Sequence, residues 1–127
     1  MQDKHLFEYA VIRIVPCVER EEFINTGVIV YCANEKFLQV KFEIDKEKLT
    51  AFKCELNIAE LQKTLFVFEQ IANGSAEGGA IALLPLASRF RWLTAVRSTI
   101  IQTSAVHPGL CDDAKETLMK LFNQLVK

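Results

Sequence analysis

The sequence predicts an α+β fold: an antiparallel sheet of about four strands with two main helices packed on one face. Three observations carry this expectation. Apolar, β-branched runs dominate residues 7–44; apolar residues recur at helical spacing behind capping patterns at Asn57 and Asp113; and a link of seven residues joins the first two strands. At 127 residues the chain is expected to be one domain, 1–127, long enough to bury a single core. Half its residues are apolar and 24% are charged, the balance of a globular rather than a disordered chain.

Phe7 to Val15 (FEYAVIRIV) is nearly continuous in apolar and β-branched residues, as in a strand buried on both faces, and Pro16 ends it. Glu8 and Arg13 are its anomalies; a charge there needs a partner or a cleft. Phe23 to Cys32 is a second strand, with Asn25 and Gly27 marking a bulge or a close backbone approach. After a turn at residues 33–35, Lys36 to Ile44 alternates with the period of two of a third strand. The short link makes the first two strands antiparallel, since a parallel crossover needs a dozen residues or more.

Asp45 caps a short helix running to Phe52, and Asn57-Ile-Ala-Glu60 opens a longer one. Ile58, Leu61, Leu65, Phe68 and Ala72 form its stripe, and Asn73-Gly74 its stop. Ala80 to Ala87, interrupted by Pro85, is expected as an extended buried segment, and Arg89 to Leu93 fits a strand or a helical turn. Residues 98–102 predict a fourth strand and His107-Pro108-Gly109 a turn. Asp113 then caps a final helix with Leu118, Leu121, Phe122 and Leu125 as its apolar stripe.

Charge narrows the function classes. The net charge of −1 supplies no global field toward nucleic acid or an anionic membrane. No apolar run is long enough to span a bilayer, and the N-terminus lacks a signal-peptide core, so a cytoplasmic protein is expected. Cys17, Cys32, Cys54 and Cys111 show no C-x-x-C spacing, which predicts reduced thiols and no zinc ribbon. No Walker, Rossmann or nucleophile-elbow fingerprint is present, so no cofactor and no metal are expected.

Ser88 to Asp113 concentrates the chemistry. Three of the five arginines lie there, and no Asp or Glu falls between Glu77 and Asp112. Guanidinium groups bind phosphate and carboxylate bidentately, so Arg13, Arg20, Arg89, Arg91 and Arg97 are expected to line an anion groove. Trp92 would support them, Ser98 and Thr99 add hydroxyls, and His107 stand at the rim. If residues 89–91 are extended, Arg89 and Arg91 point the same way. The bland alternative pairs these arginines with Glu19, Glu22, Asp112 or Asp113. An enzymatic alternative is a metal-dependent phosphoester hydrolase, nuclease-like, built on His107, Asp112 and Asp113. Against it, adjacent acids are typical of a helix N-terminus.

Two stretches carry a family resemblance: Glu8-Tyr-Ala-Val-Ile-Arg13 through Val18-Glu-Arg20, Phe23, Asn25 and Gly27-Val28, and Arg89-Phe-Arg-Trp-Leu-Thr94 through Arg97-Ser-Thr99, Gln102 and His107 to Gly109-Leu110-Cys111. Together they resemble the bacterial domain of unknown function 3037 family. The resemblance implies a short, single-domain protein with a protein partner, a kinase-like protein of the HipA type. The chain departs from the family pattern at Cys17, where an acid is expected, and at Val96, where proline is. The first departure weakens a catalytic role for Cys17. The combined expectation is an accessory or binding module with an arginine-rich groove for a phosphate-containing ligand or a partner protein.

Overall fold

The structure is a computed structural model and describes residues 4–52, 54–97 and 99–127. It is α+β, built on a five-stranded antiparallel sheet. β1 (His5–Ile14), β2 (Ile24–Cys32) and β3 (Phe37–Phe42) form a meander. β4 (Ile101–Thr103) and β5 (His107–Cys111) both pair with the other edge of β1, β4 near its C-terminal end and β5 near its N-terminal end. β1 is therefore central, which accounts for its apolar sequence. Ser104 bridges the step between β4 and β5. Its N–H donates to the Val11 carbonyl at 2.8 Å, and its hydroxyl accepts from the Val11 N–H at 2.9 Å. A side-chain oxygen thus replaces a backbone carbonyl, and the central strand keeps both bonds at Val11.

Alternation along the sheet creates two cores. Ile12, Ile14, Ile29 and Val40 face one side, covered by Leu61, Leu65 and Phe68 of α2 (Ile58–Asn73) and Phe90 and Leu93 of α3 (Leu86–Leu93). Phe7, Val28, Val30 and Cys32 face the other, covered by Ala114, Leu118 and Phe122 of α4 (Ala114–Leu125). The two long helices, expected on one face, divide between both. Thr26 to Val30 are accordingly all buried, as a strand covered on both sides requires.

The capping expectations correspond to contacts. The Asn57 side chain accepts from the Glu60 N–H at 3.2 Å, and Asp113 accepts from Lys115 and Glu116. Asp45 does the same for Lys48 at the start of α1 (Lys46–Thr50). Gly74 closes α2 at φ 73°, the left-handed conformation glycine adopts without a Cβ penalty. The expected bulge lies opposite Ile12 and Arg13, which pair with Gly27 and Asn25 and leave Thr26 unmatched. A Cβ on Gly27 would stand 2.7 Å from the Lys41 carbonyl, so the close approach is real as well.

Four local expectations are corrected. Residues 80–83 form a 3-10 turn and Leu86 begins α3, with Pro85 at the N-cap and Leu83 and Leu84 exposed. Proline at a helix start forgoes an N–H that has no intrahelical partner anyway, so it initiates this helix rather than preventing one. The fourth strand begins only at Ile101. His107, Pro108 and Gly109 open β5 instead of turning, which an edge strand permits. Finally, Cys17 and Cys54, expected as free thiols, form a disulfide with Cα atoms 6.1 Å apart, while Cys32 and Cys111 are free and buried. The folded chain sets the two half-cystines side by side although 37 positions separate them. Among the described residues, no helix is long and apolar enough to cross a membrane.

Gly109 faces Phe7 across the β1–β5 ladder, and a Cβ there would lie 2.6 Å from the ring. Gly109→Ala should therefore cost about 1–3 kcal/mol by overpacking. In chemical denaturation the double variant with Phe7→Leu should lose less than the sum of the two single losses.

Candidate functional site

The arginine segment folds in a way that separates its members. In α3, two residues of advance rotate a side chain by about 200°, so Arg89 and Arg91 lie on opposite sides. Arg89 turns inward, and its Nη1 donates to the Ile71 and Ala72 carbonyls, each at 3.1 Å. Those carbonyls belong to the last turn of α2, where acceptors lack helical partners and the helix dipole favours a cation. Arg97 does the same for α3: Nη1 donates to Leu93 at 2.8 Å and Ala95 at 3.1 Å, and Nη2 to Trp92 at 2.6 Å. Its guanidinium stacks 4.7 Å from the Trp92 ring centre and 5.2 Å from that of Phe68. Burial pulls the Arg97 pKa below its ordinary value.

The remaining candidates are placed as follows. Arg20 pairs with Glu22 at 2.6 Å on the surface, and Arg91 is exposed. Arg13 stacks on Phe23, 4.1 Å from the ring centre, and lines a cleft together with Arg97 and Gln102. The Thr99 hydroxyl donates to the Ile101 carbonyl; Ser98 lies outside the described residues. His107 is exposed, 5.3 Å from the Tyr9 ring. Of the nine residues expected to share a groove, Arg13 and Arg97 meet in one cleft, and Arg20 lines another. The residues of the hydrolase alternative are set apart too. Asp113 is engaged in capping α4, and the length of β5, about 17 Å for five residues, separates His107 from Asp112.

A different constellation is compact. His5 begins β1, Cys32 ends β2, Glu35 sits in the β2–β3 turn and Cys111 ends β5, paired in register with His5. Donor atoms of His5, Cys32 and Glu35 all lie within 4.8 Å of one another. Glu35 Oε2 is the hub: His5 Nδ1 is 3.5 Å away, Cys32 Sγ 3.7 Å and Cys111 Sγ 3.9 Å. Both Glu35 oxygens also accept from the Ala114 N–H at the start of α4, at 3.2 and 3.1 Å, which fixes the carboxylate. His5 Nδ1 is shielded from solvent and has no hydrogen-bond partner among the described residues. Burial pushes the Cys111 thiol up; a hydrogen bond with Thr117 opposes this, and Cys32 and Glu35 reinforce it. Two thiols, an imidazole and a carboxylate are a donor set for a borderline-soft divalent cation, not for Mg²⁺.

The sequence does not bring these four residues together, because three of them belong to different strand ends; Cys111 by itself reads as a buried, inert thiol. The one local signal is the spacing Cys32-x-x-Glu35, which is weak by itself. Only the pairing of β1 with β5 and the hairpin turn brings them together.

The fold and this cluster define a small α+β domain with a nitrogen, sulfur and oxygen donor site at one end of its sheet. The chain belongs to the family described as a protein of unknown function (DUF3037), whose pattern matches residues 9–126. Cys32, Glu35 and Cys111 fall inside that span and His5 precedes it. Comparison with curated proteins and with solved structures returns no match.

The carbonyl caps define distinct roles for neighbouring arginines. Arg89→Ala should cost about 1.5–3 kcal/mol, as for a lost charged hydrogen bond. Arg91→Ala, two residues before the end of the same helix and exposed, should stay within about 0.5 kcal/mol of the parent in thermal or urea unfolding.

Proposed function

We propose that this DUF3037 domain is a metal-binding module in which His5, Cys32, Glu35 and Cys111 hold one thiophilic divalent cation, Zn²⁺ before the others. The observation that carries the reading is the arrangement of three donors around Glu35 Oε2 at 3.5, 3.7 and 3.9 Å. A tetrahedral Zn²⁺ with ordinary bond lengths holds neighbouring N, O and S donors about 3.3–3.8 Å apart. His5 Nδ1 supports the same reading: it is shielded from water, and its one polar neighbour among the described residues is the Glu35 carboxylate at 3.5 Å, too long for a good hydrogen bond.

With all four donors engaged, the cation is closed off from substrate and clamps the start of β1, the β2–β3 turn and the start of α4. It then supports a binding module, with no turnover of its own. A hydrolase at this cluster, unlike the one expected at His107, Asp112 and Asp113, would need the fourth position of the metal open to water, with Cys111 standing aside. Cys111 is 6% exposed and 3.9 Å from the hub oxygen but stands outside the tight group of His5, Cys32 and Glu35, so the closed arrangement needs its thiol to turn inward when the cation binds.

Cobalt(II) distinguishes these outcomes. The metal-free protein should take up one equivalent and develop both thiolate-to-cobalt charge transfer and tetrahedral visible bands. Cys32→Ser and Cys111→Ser should each weaken the charge-transfer band and shift the tetrahedral spectrum. Because the thiols must lose protons, uptake should release acid and tighten as pH rises. Zinc at a hundred times its dissociation constant should add about 2.7 kcal/mol to stability. Absence of the charge-transfer band overturns the proposal. A band that survives intact in Cys111→Ser leaves the fourth position to water and overturns the closed, four-donor arrangement.

A further inference from the structure

The second place where the chain sets unsatisfied chemistry against solvent is the cleft at the other end of β1. Arg13 lies eight residues along the strand from His5, about 26 Å away, so the two sites are independent. The bulge opposite Arg13 changes the local register, a device that re-aims side chains at functional positions. Arg13 enters a cleft of about 310 Å³ whose other walls include Val15, Val18, Phe23, Arg97 and Gln102. That volume is at the lower end for small-molecule sites.

Two guanidinium groups therefore share one opening, and the charges around them are not balanced. Among the described residues, no carboxylate stands within ion-pair distance of Arg13 or Arg97; the ion pairs involve Arg20, His5, Lys120 and Lys127. Glu21 is the one acid on the cleft wall. The hydrogen bonds of Arg97 all go to neutral carbonyls. Arg13 Nε, like Arg89 Nε, is shielded from water and has no acceptor among the described residues. Phe23 covers a face of the Arg13 guanidinium, which leaves the acceptor-seeking edge of the group unused. A half-buried charge in a central strand is costly unless something pairs with it. Phe23 and Val18, both substantially exposed, add apolar wall beside the two cations.

We propose that this cleft binds the oxyanion end of a small amphipathic ligand, a carboxylate or phosphate whose apolar body lies against Val18 and Phe23. Arg13 supplies the directional hydrogen bonds. Arg97, already held by the α3 carbonyls, acts as a fixed positive charge behind it.

The test follows the Arg Nε–Hε resonances of the full chain by ¹H–¹⁵N NMR during titration with inorganic phosphate, phenylacetate and, at matched ionic strength, chloride. A saturable shift at Arg13 with phosphate alone assigns a phosphate ligand, and one with phenylacetate alone assigns a carboxylate. Arg13→Gln should weaken the responding probe by about tenfold or more, as for a lost charged hydrogen bond. Arg91→Gln should bind as the parent does. No saturable shift at Arg13 with either probe, or the same drift with chloride, overturns the proposal. The parent titration decides the matter even if Arg13→Gln does not fold. Because His5 and the cysteines are untouched, the result is separable from that of the cobalt experiment.

Discussion

The backbone of β1 must be hydrogen-bonded along both edges, and this requirement organises the molecule. A strand with a helix packed on each side of its sheet has no water to satisfy an open N–H or carbonyl, and each one left open would cost a few kcal/mol. β2 supplies one edge through a short hairpin-like link. The other edge is completed by β4 and β5, with the Ser104 hydroxyl covering the step between them. Both candidate sites follow from this pairing. β5 delivers Cys111 opposite His5, and β4 delivers Gln102 opposite Arg13.

The arginine-rich, acid-free segment is explained at the level of helix ends. With no carboxylates nearby in sequence, Arg89 (through Nη1) and Arg97 donate to backbone carbonyls at the C-termini of α2 and α3. Bonds of this kind combine a charged donor with the negative end of a helix dipole and are worth more than an exposed ion pair. Two of the five arginines are thus fastened to helix ends, and Trp92 is the surface on which Arg97 is held. Arg13 is different because its neighbours are strands, whose carbonyls are already used in ladders.

Much of the architecture was legible from residues 5 to 74, where local rules operate. The alternation in β3, the Asn57 cap, the Gly74 stop and the bulge beside Gly27 each have a physical cause within a few positions in sequence. Legibility fell off where partners are distant. Pro108 and Gly109 read as a turn because their local preferences favour one; they are strand because β1 needs an edge and Phe7 needs room. Arg89 to Leu93 gave no periodic signal long enough to separate helix from strand, so the direction of its arginines was open. The family resemblance read from the two quoted stretches agrees with the match over residues 9–126. The donor cluster was invisible, since His5, Cys32 and Cys111 carry no shared motif and meet only in the completed sheet.

That topology also sets an order of events during synthesis and refolding. The β1–β2–β3 meander and the Cys17–Cys54 bridge need only the first half of the chain. The far edge of β1 waits for residues 101–111, roughly ninety positions later in sequence. During that interval the most apolar strand of the protein presents an unpaired row of backbone donors and acceptors, a template to which any passing strand can add. A nascent chain held at this stage is thus a candidate for a holding chaperone, and β5, short and carrying a proline, is the plug that ends the exposure.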